Sequence, residues 1–146
     1  MNNEDNLLQV IHEAFAIEEQ DIRKYSPLKL AYLGDAVFEI MIRTLITEGT
    51  GGPVKKLHMR SSSLVNAASQ AKLAAAMKAF MTEEELAAFR RGRNAKASSV
   101  AKHADIHDYR NATGLEALFG YLYLRGQSAR AVWLLRQAME QTGTLP

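Results

Sequence analysis

The chain has 146 residues, 47% of them apolar, a net charge of +2 and no cysteine. That length suits one domain with a single hydrophobic core, and the apolar content excludes a disordered chain. Disulfides, zinc thiolates and a thiol nucleophile are excluded too, and no apolar run approaches the roughly 18 residues of a membrane span.

The opening MNNEDNLLQV lacks the basic start and long apolar stretch of a signal peptide, so a cytoplasmic location is expected. Long alanine- and leucine-rich stretches without strict apolar/polar alternation predict an all-α chain. A first helix is expected over about 4–17, with Leu7, Leu8, Ile11, Ala14 and Phe15 on one face. Ser26 and Pro27, an N-cap followed by proline in the first helical position, start a second helix that runs to about Thr47. This helix is apolar nearly all round, which predicts burial in the core.

The glycine-rich stretch 48–53 breaks the chain. A third helical region is expected over about 54–80, bent near Ser61, Ser62 and Ser63. Thr82 and Glu85 form a capping box for a fourth helix ending near Arg91. From Gly92 to about His107 no helical period is visible, and a loop of that length inside a compact domain is usually functional or disordered. A fifth helix ends at Gly126, and a sixth runs from about Ser128 to Gly143. With no repeat or linker, residues 1–146 read as one domain, with a helix and lead-in over 1–25 and the core over 27–142.

Two acids stand out. Asp35 lies in the middle of the second helix, directly after Gly34. Burying an unpaired carboxylate costs several kcal/mol, and a mid-helix glycine costs about 1 kcal/mol relative to alanine. Both penalties call for an offsetting gain, which a bound cation supplies, with Gly34 and Ala31 giving the small surface that close helix approach needs. The competing account is a polar stripe of Asp35, Glu39 and Arg43, in which Glu39 and Arg43 pair at the surface.

Glu116 is the only acid in ATGLEALFGYLYLRG. It is either the third residue of a helix capped by Thr113, or a mid-helix acid in a helix starting near Asp108. The spacing of Tyr109, Ala112 and Leu115 favours the earlier start. Two isolated acids on apolar, glycine-containing helices suggest a shared hard cation, without naming a reaction. Charge is also segregated: residues 1–50 carry a net −5 and residues 55–110 a net +6, which suggests either a polyanion-binding face in mid-chain or a set of ordinary solvated helix faces. The histidines at 12, 58, 103 and 107 lack the paired spacing of a metal site.

LAYLGDAVFE resembles the signature helix of the ribonuclease III catalytic domain, and TGLEALFGYLYLRG resembles its second metal-binding helix. With VKKLHMRSSSLVNAASQAKL, RRGRNAKASSVAK and YRNATGLEALFGYLYL, the likeness runs from about Lys29 to about Met139 and is to the Mini-III branch, which lacks a double-stranded-RNA-binding domain. The resemblance implies an all-helical endonuclease bundle that works as a homodimer on double-stranded RNA. It also implies Mg²⁺-dependent hydrolysis leaving a 5′-phosphate and a 3′-hydroxyl. Asp35 and Glu116 match the catalytic, metal-binding acids. The larger enzymes carry two further acids where this chain has Ala31 and Thr113, which leaves one or two ions per site open.

On this reading RNA is held by Arg90, Arg91, Arg93, Asn94, Lys96, Lys102 and Arg110, with Lys55, Lys56, His58 and Arg60 as a second patch. The family's usual role implies a stem in precursor large-subunit ribosomal RNA, with a ribosomal protein as a further candidate partner and no membrane. The rival is a non-catalytic RNA-binding or ribosome-associated module on the same fold; retention of both acids argues against it.

Overall fold

The computed structural model describes residues 6–95 and 105–146, and the described residues form seven α-helices and no strand. They are α1 (Leu7–Ala14), α2 (Pro27–Gly49), α3 (Val54–Val65), α4 (Ala67–Met77), α5 (Glu83–Arg93), α6 (Ile106–Leu124) and α7 (Ser128–Thr142). Short 3₁₀ turns lie at Ile22–Lys24 and Lys78–Phe80.

Local chemistry sets most boundaries. The Ser26 hydroxyl accepts a 3.1 Å bond from the Lys29 amide, and Pro27 opens α2. The expected single region over 54–80 is two helices, and they part at Asn66 rather than at the serines. Asn66 Oδ1 caps α4 by accepting from the Ser69 amide at 2.9 Å, while its Nδ2 donates back to the Ser62 and Ser63 carbonyls of α3. One side chain thus satisfies both broken helix ends. Thr82 and Glu85 form the full reciprocal capping box of α5. Gly126 and Gly143, at φ +71 and +67, turn the chain out of α6 and α7 in a conformation that favours glycine.

The α6 helix is the axis of the bundle. All residues from Asn111 to Leu122 are buried except Glu116 and Tyr121, which are half-buried. α2, α4, α5 and α7 pack around it. Phe38 of α2 and Phe119 of α6 meet with ring centres 5.9 Å apart, and Ile42, Leu73, Met77, Phe89, Leu118 and Leu134 fill the space between helices. Each such side chain contributes about 1.5–3 kcal/mol through burial.

A clasp joins α7 to the start of α5. Arg130 donates to both oxygens of Glu85, at 2.8 and 2.9 Å, and to the Phe80 carbonyl at 2.7 Å. Glu85 is 4% exposed, and the Arg130 hydrogen bonds hold its carboxyl below the usual carboxylate range.

Two expectations change. α2 is not covered all round: it buries Leu30, Ala31, Gly34, Val37, Phe38, Ile42 and Ile46, while Leu28, Tyr32, Ala36 and Ile40 form an exposed stripe at four-residue spacing. The acid Asp35 is exposed as well, not buried, because it lies just off the face that the bundle covers. The burial penalty therefore falls on Glu116.

Candidate active site

Two glycines allow α2 and α6 to touch backbone to backbone. A Cβ on Gly34 would overlap the Glu116 carbonyl oxygen and lie 2.7 Å from the Gly120 amide nitrogen. A Cβ on Gly120 would in turn overlap the Leu30 carbonyl oxygen and lie 3.2 Å from the Gly34 nitrogen. Neither neighbour is a side chain that can swing away, so only hydrogen fits at both positions. A second crossing holds α6 from another side: Gly92 of α5 lies over Ala117 and the Thr113 carbonyl, and Gly114 lies under the Phe89 ring. The backbone at Glu116 is therefore clamped between α2 and α5.

The first crossing brings the two acids together. Asp35 follows Gly34 on α2, and Glu116 contributes the carbonyl that Gly34 touches. The Glu116 carboxyl is pushed up to about 8, first by burial, then by a hydrogen bond to the Asp35 carboxylate, then by the Asp35 charge. Two carboxyl groups this close cannot both carry full charge without a proton or a cation between them. Asp35 is open to solvent, so an ion can reach the pair with part of its water shell.

The helix start near Asp108 is the one the fold adopts, three residues early. Asp105 caps α6 by accepting from the His107 and Asp108 amides at 2.8 and 3.2 Å. Glu116 is accordingly a mid-helix acid. Thr113 is no cap: its hydroxyl donates to the Tyr109 carbonyl at 3.0 Å within the helix. Glu39 and Arg43 form the expected surface pair at 3.3 Å, which leaves Glu39 occupied.

The donor set fits a hard divalent ion. Two carboxylates supply oxygen ligands, and Mg²⁺ accepts one or two protein carboxylates while keeping several waters. Among the described residues no group of three or more Asp, Glu, His or Cys side chains gathers at one point. Ala31 packs with Leu30 and Ala117, and Thr113 is buried with its hydroxyl engaged, so neither adds a charged ligand.

The basic candidates divide into groups. Lys55, Lys56 and His58 are exposed on α3, while Arg60 is half-buried and donates to the Thr50 hydroxyl at 3.2 Å, tying α3 to the end of α2. Arg90 and Arg91 are exposed on α5, Asn94 follows its last turn, and Arg110 is exposed on the first half of α6. Arg93 is half-buried and leans over Phe89. Lys96 and Lys102 lie outside the described residues. One cation escaped the sequence reading: Lys78, in the 3₁₀ turn after α4, points at the same Phe89 ring. Its place was absorbed into an expected helix over 54–80, and nothing in the local sequence marks it.

Comparison with known proteins gives a consistent picture. Residues 28–127 match the family described as Ribonuclease III domain. The chain is 44% identical over 113 residues to Mini-ribonuclease 3 of Clostridium tetani, covering 77% of this chain and 75% of that one. It is 46% identical over 114 residues to Mini-ribonuclease 3 of Brevibacillus brevis, covering 77% and 84%. With the Thermoanaerobacter protein of the same name it shares 35% over 137 residues, covering 94% and 96%. A crystal structure of a Fusobacterium nucleatum protein superposes with a TM-score of 0.73 at 28% identity, covering 84% of this chain and 98% of that one.

Proposed function

The chain belongs to the ribonuclease III family and is an endoribonuclease, and on that premise we propose that it cleaves double-stranded RNA in a Mg²⁺-dependent reaction. The observation that carries this reading is the meeting of Asp35 and Glu116 across the Gly34–Gly120 crossing. Asp35 and Glu116 would hold one divalent ion, with Ala31 and Thr113 leaving no charged ligands for a second. When bound, Mg²⁺ supplies the Lewis acidity that phosphodiester hydrolysis needs at neutral pH.

On metal binding Glu116 would give up its proton, and the pair would act as two carboxylates. Burial of Glu116 and the double clamp on α6 fix one ligand, while exposed Asp35 faces the incoming phosphate. Exposed cations on α3, α5 and α6 bind the RNA backbone, as suits A-form duplexes, which proteins recognise mainly through phosphates and 2′-hydroxyls.

Residues 1–146 act as one catalytic unit, and two copies pair as a homodimer. The support is the uncovered stripe of α2: Tyr32 is 86% exposed and Ile40 62%, an unusual cost for apolar surface in a lone molecule. Next to it opens an apolar cleft of about 350 Å³ lined by Ile40, Met41, Leu45, Val132 and Met139. The substrate stem belongs to precursor large-subunit ribosomal RNA, cut in the cytoplasm, with a ribosomal protein as candidate helper. This assignment rests on family likeness. No helix of the described residues is long and apolar enough to cross a membrane.

The test is incubation of a perfect RNA duplex with the protein and Mg²⁺, beside Asp35→Asn and Glu116→Gln. Wild type should yield 5′-phosphate products, and each variant should lose about a thousandfold or more in rate, since the lost group removes several kcal/mol of transition-state stabilisation. Equal cleavage by all three proteins, or cleavage unaffected by chelator, removes the assignment.

A further inference from the structure

Two cations from two segments lie over the ring of Phe89, which is fully buried, and the charge of Arg90 is close to one of them. The Lys78 Nζ lies 5.0 Å from the ring centre, and the Arg93 guanidinium carbon lies 5.9 Å from it. Lys78 is held below its usual range by partial burial, then by the nearby charges of Arg93 and Arg90. The ring supports these cations through its electron-rich face, an interaction worth about 0.5–1 kcal/mol at exposed sites. It does not neutralise them.

Five arginines elsewhere in the bundle find carboxylates, whereas among the described residues Arg60, Arg91 and Arg110 do not. Arg23, Arg43, Arg125, Arg130 and Arg136 each have an acid within 3.3 Å. Among the described residues Lys78, Arg90 and Arg93 have no such partner. The acids of α5, Glu83 to Glu85, are all in its first turn, about 7–15 Å along the helix from Arg90 and Arg93 at 1.5 Å per residue, and Glu84 and Glu85 are paired with Arg125 and Arg130.

Like charges packed without a counter-ion lower the stability of the free protein, and a bound anion reverses the sign. Location adds to this. The Gly92–Gly114 crossing seats the basic end of α5 directly against α6, two residues upstream of Glu116.

We infer that Lys78, Arg90 and Arg93 form one binding site for phosphates of the duplex RNA backbone, with Lys78 and Arg93 held in register by the Phe89 ring. Lys78 is then a substrate-binding residue supplied by the turn after α4. This site rests on the reading of double-stranded RNA as substrate. The binding energy comes from counter-ion release and from charge-assisted hydrogen bonds to phosphate oxygens, and it carries no base preference.

The test measures binding of a duplex RNA to the full chain in chelator, so that no cleavage occurs, across a series of salt concentrations. Lys78→Gln should weaken binding about threefold to tenfold at low salt and lower the slope of log K against log salt by about 0.7–0.9. Its melting temperature should stay level or rise, because repulsion is relieved. Lys78→Arg should keep the slope, and Lys24→Gln, an exposed cation outside the cluster, should leave it unchanged. Lys78→Gln combined with Arg93→Gln should lose less than the sum of the single losses, as expected for groups sharing one site.

A Lys78→Gln protein with the wild-type slope, or one that only melts earlier, overturns the site while the RNA reading stands. Wild type with no salt-dependent affinity for duplex RNA overturns both.

Discussion

Replacing Gly34 with alanine tests how the fold builds the site. The added methyl would lie 2.6 Å from the Glu116 carbonyl carbon and 2.7 Å from the Gly120 nitrogen, all backbone. Ordinary contact needs about 3.5–4 Å, and the overlap with the Glu116 carbonyl oxygen is deeper still, so α2 and α6 must separate by roughly 1.5–2 Å. Alanine gains about 1 kcal/mol in helix propensity, but forced overpacking costs about 1–3 kcal/mol and loosens the α2–α6 interface around it. Because the overlap is with backbone, the cost lies at the top of that range, so net stability should fall by about 2 kcal/mol, which for a chain of this size lowers the melting temperature by about 4–8 °C.

The effect on catalysis is larger. Asp35 and Glu116 ride on the two separating helices, and a misplacement of about 1 Å costs about a hundredfold in rate. Gly34→Ala assayed at a temperature where it remains folded should therefore lose far more activity than stability. Gly120→Ala, which meets Leu30 from the other side, should behave alike. A Gly34→Ala protein with wild-type melting and wild-type turnover would refute the argument that this crossing positions the acids.

Metal-free wild type should lose stability as pH rises from about 4.5 to about 8, because the folded state holds the Glu116 proton through that window and the unfolded chain does not. Melting curves across pH check this: Glu116→Gln should flatten the fall, and added Mg²⁺ should reduce it in wild type only. Arg130→Met leaves buried Glu85 without its partner and should cost about 3 kcal/mol by urea denaturation at neutral pH. That gap should narrow as acid protonates Glu85, whose lowered pKa means the clasp stabilises the fold only while it is ionised. Tyr32→Asp should shift gel filtration from dimer to monomer with the helical content intact.

The sequence carried the helices and the acids further than their surroundings. Ser26, Pro27, Thr82, Glu85 and Gly143 act through bonds to near neighbours in the chain, so their boundaries could be read locally. Asn66 was harder, because capping two helices with one side chain leaves no sequence mark distinct from an ordinary polar residue. Gly34 beside Asp35 signalled a close approach correctly, yet which acid is buried depends on the angle at which α6 crosses. Glu116 carries the burial and Asp35 faces solvent, the reverse of the emphasis that an apolar α2 suggested. Apolar residues of α2 at positions 28, 32, 36 and 40 looked like core because one chain's sequence does not separate an apolar stripe the bundle covers from one it leaves exposed. Lys78 reaches Phe89 only through the tertiary arrangement of α4 and α5.

A crystal structure of the protein grown with Mg²⁺ bears most directly on the central claim. One ion should lie about 2.1 Å from an oxygen of Asp35 and an oxygen of Glu116 at once, with the remaining octahedral positions held by water. An ion bound to only one of these acids, or the two carboxyls still sharing a proton at saturating Mg²⁺, would contradict it.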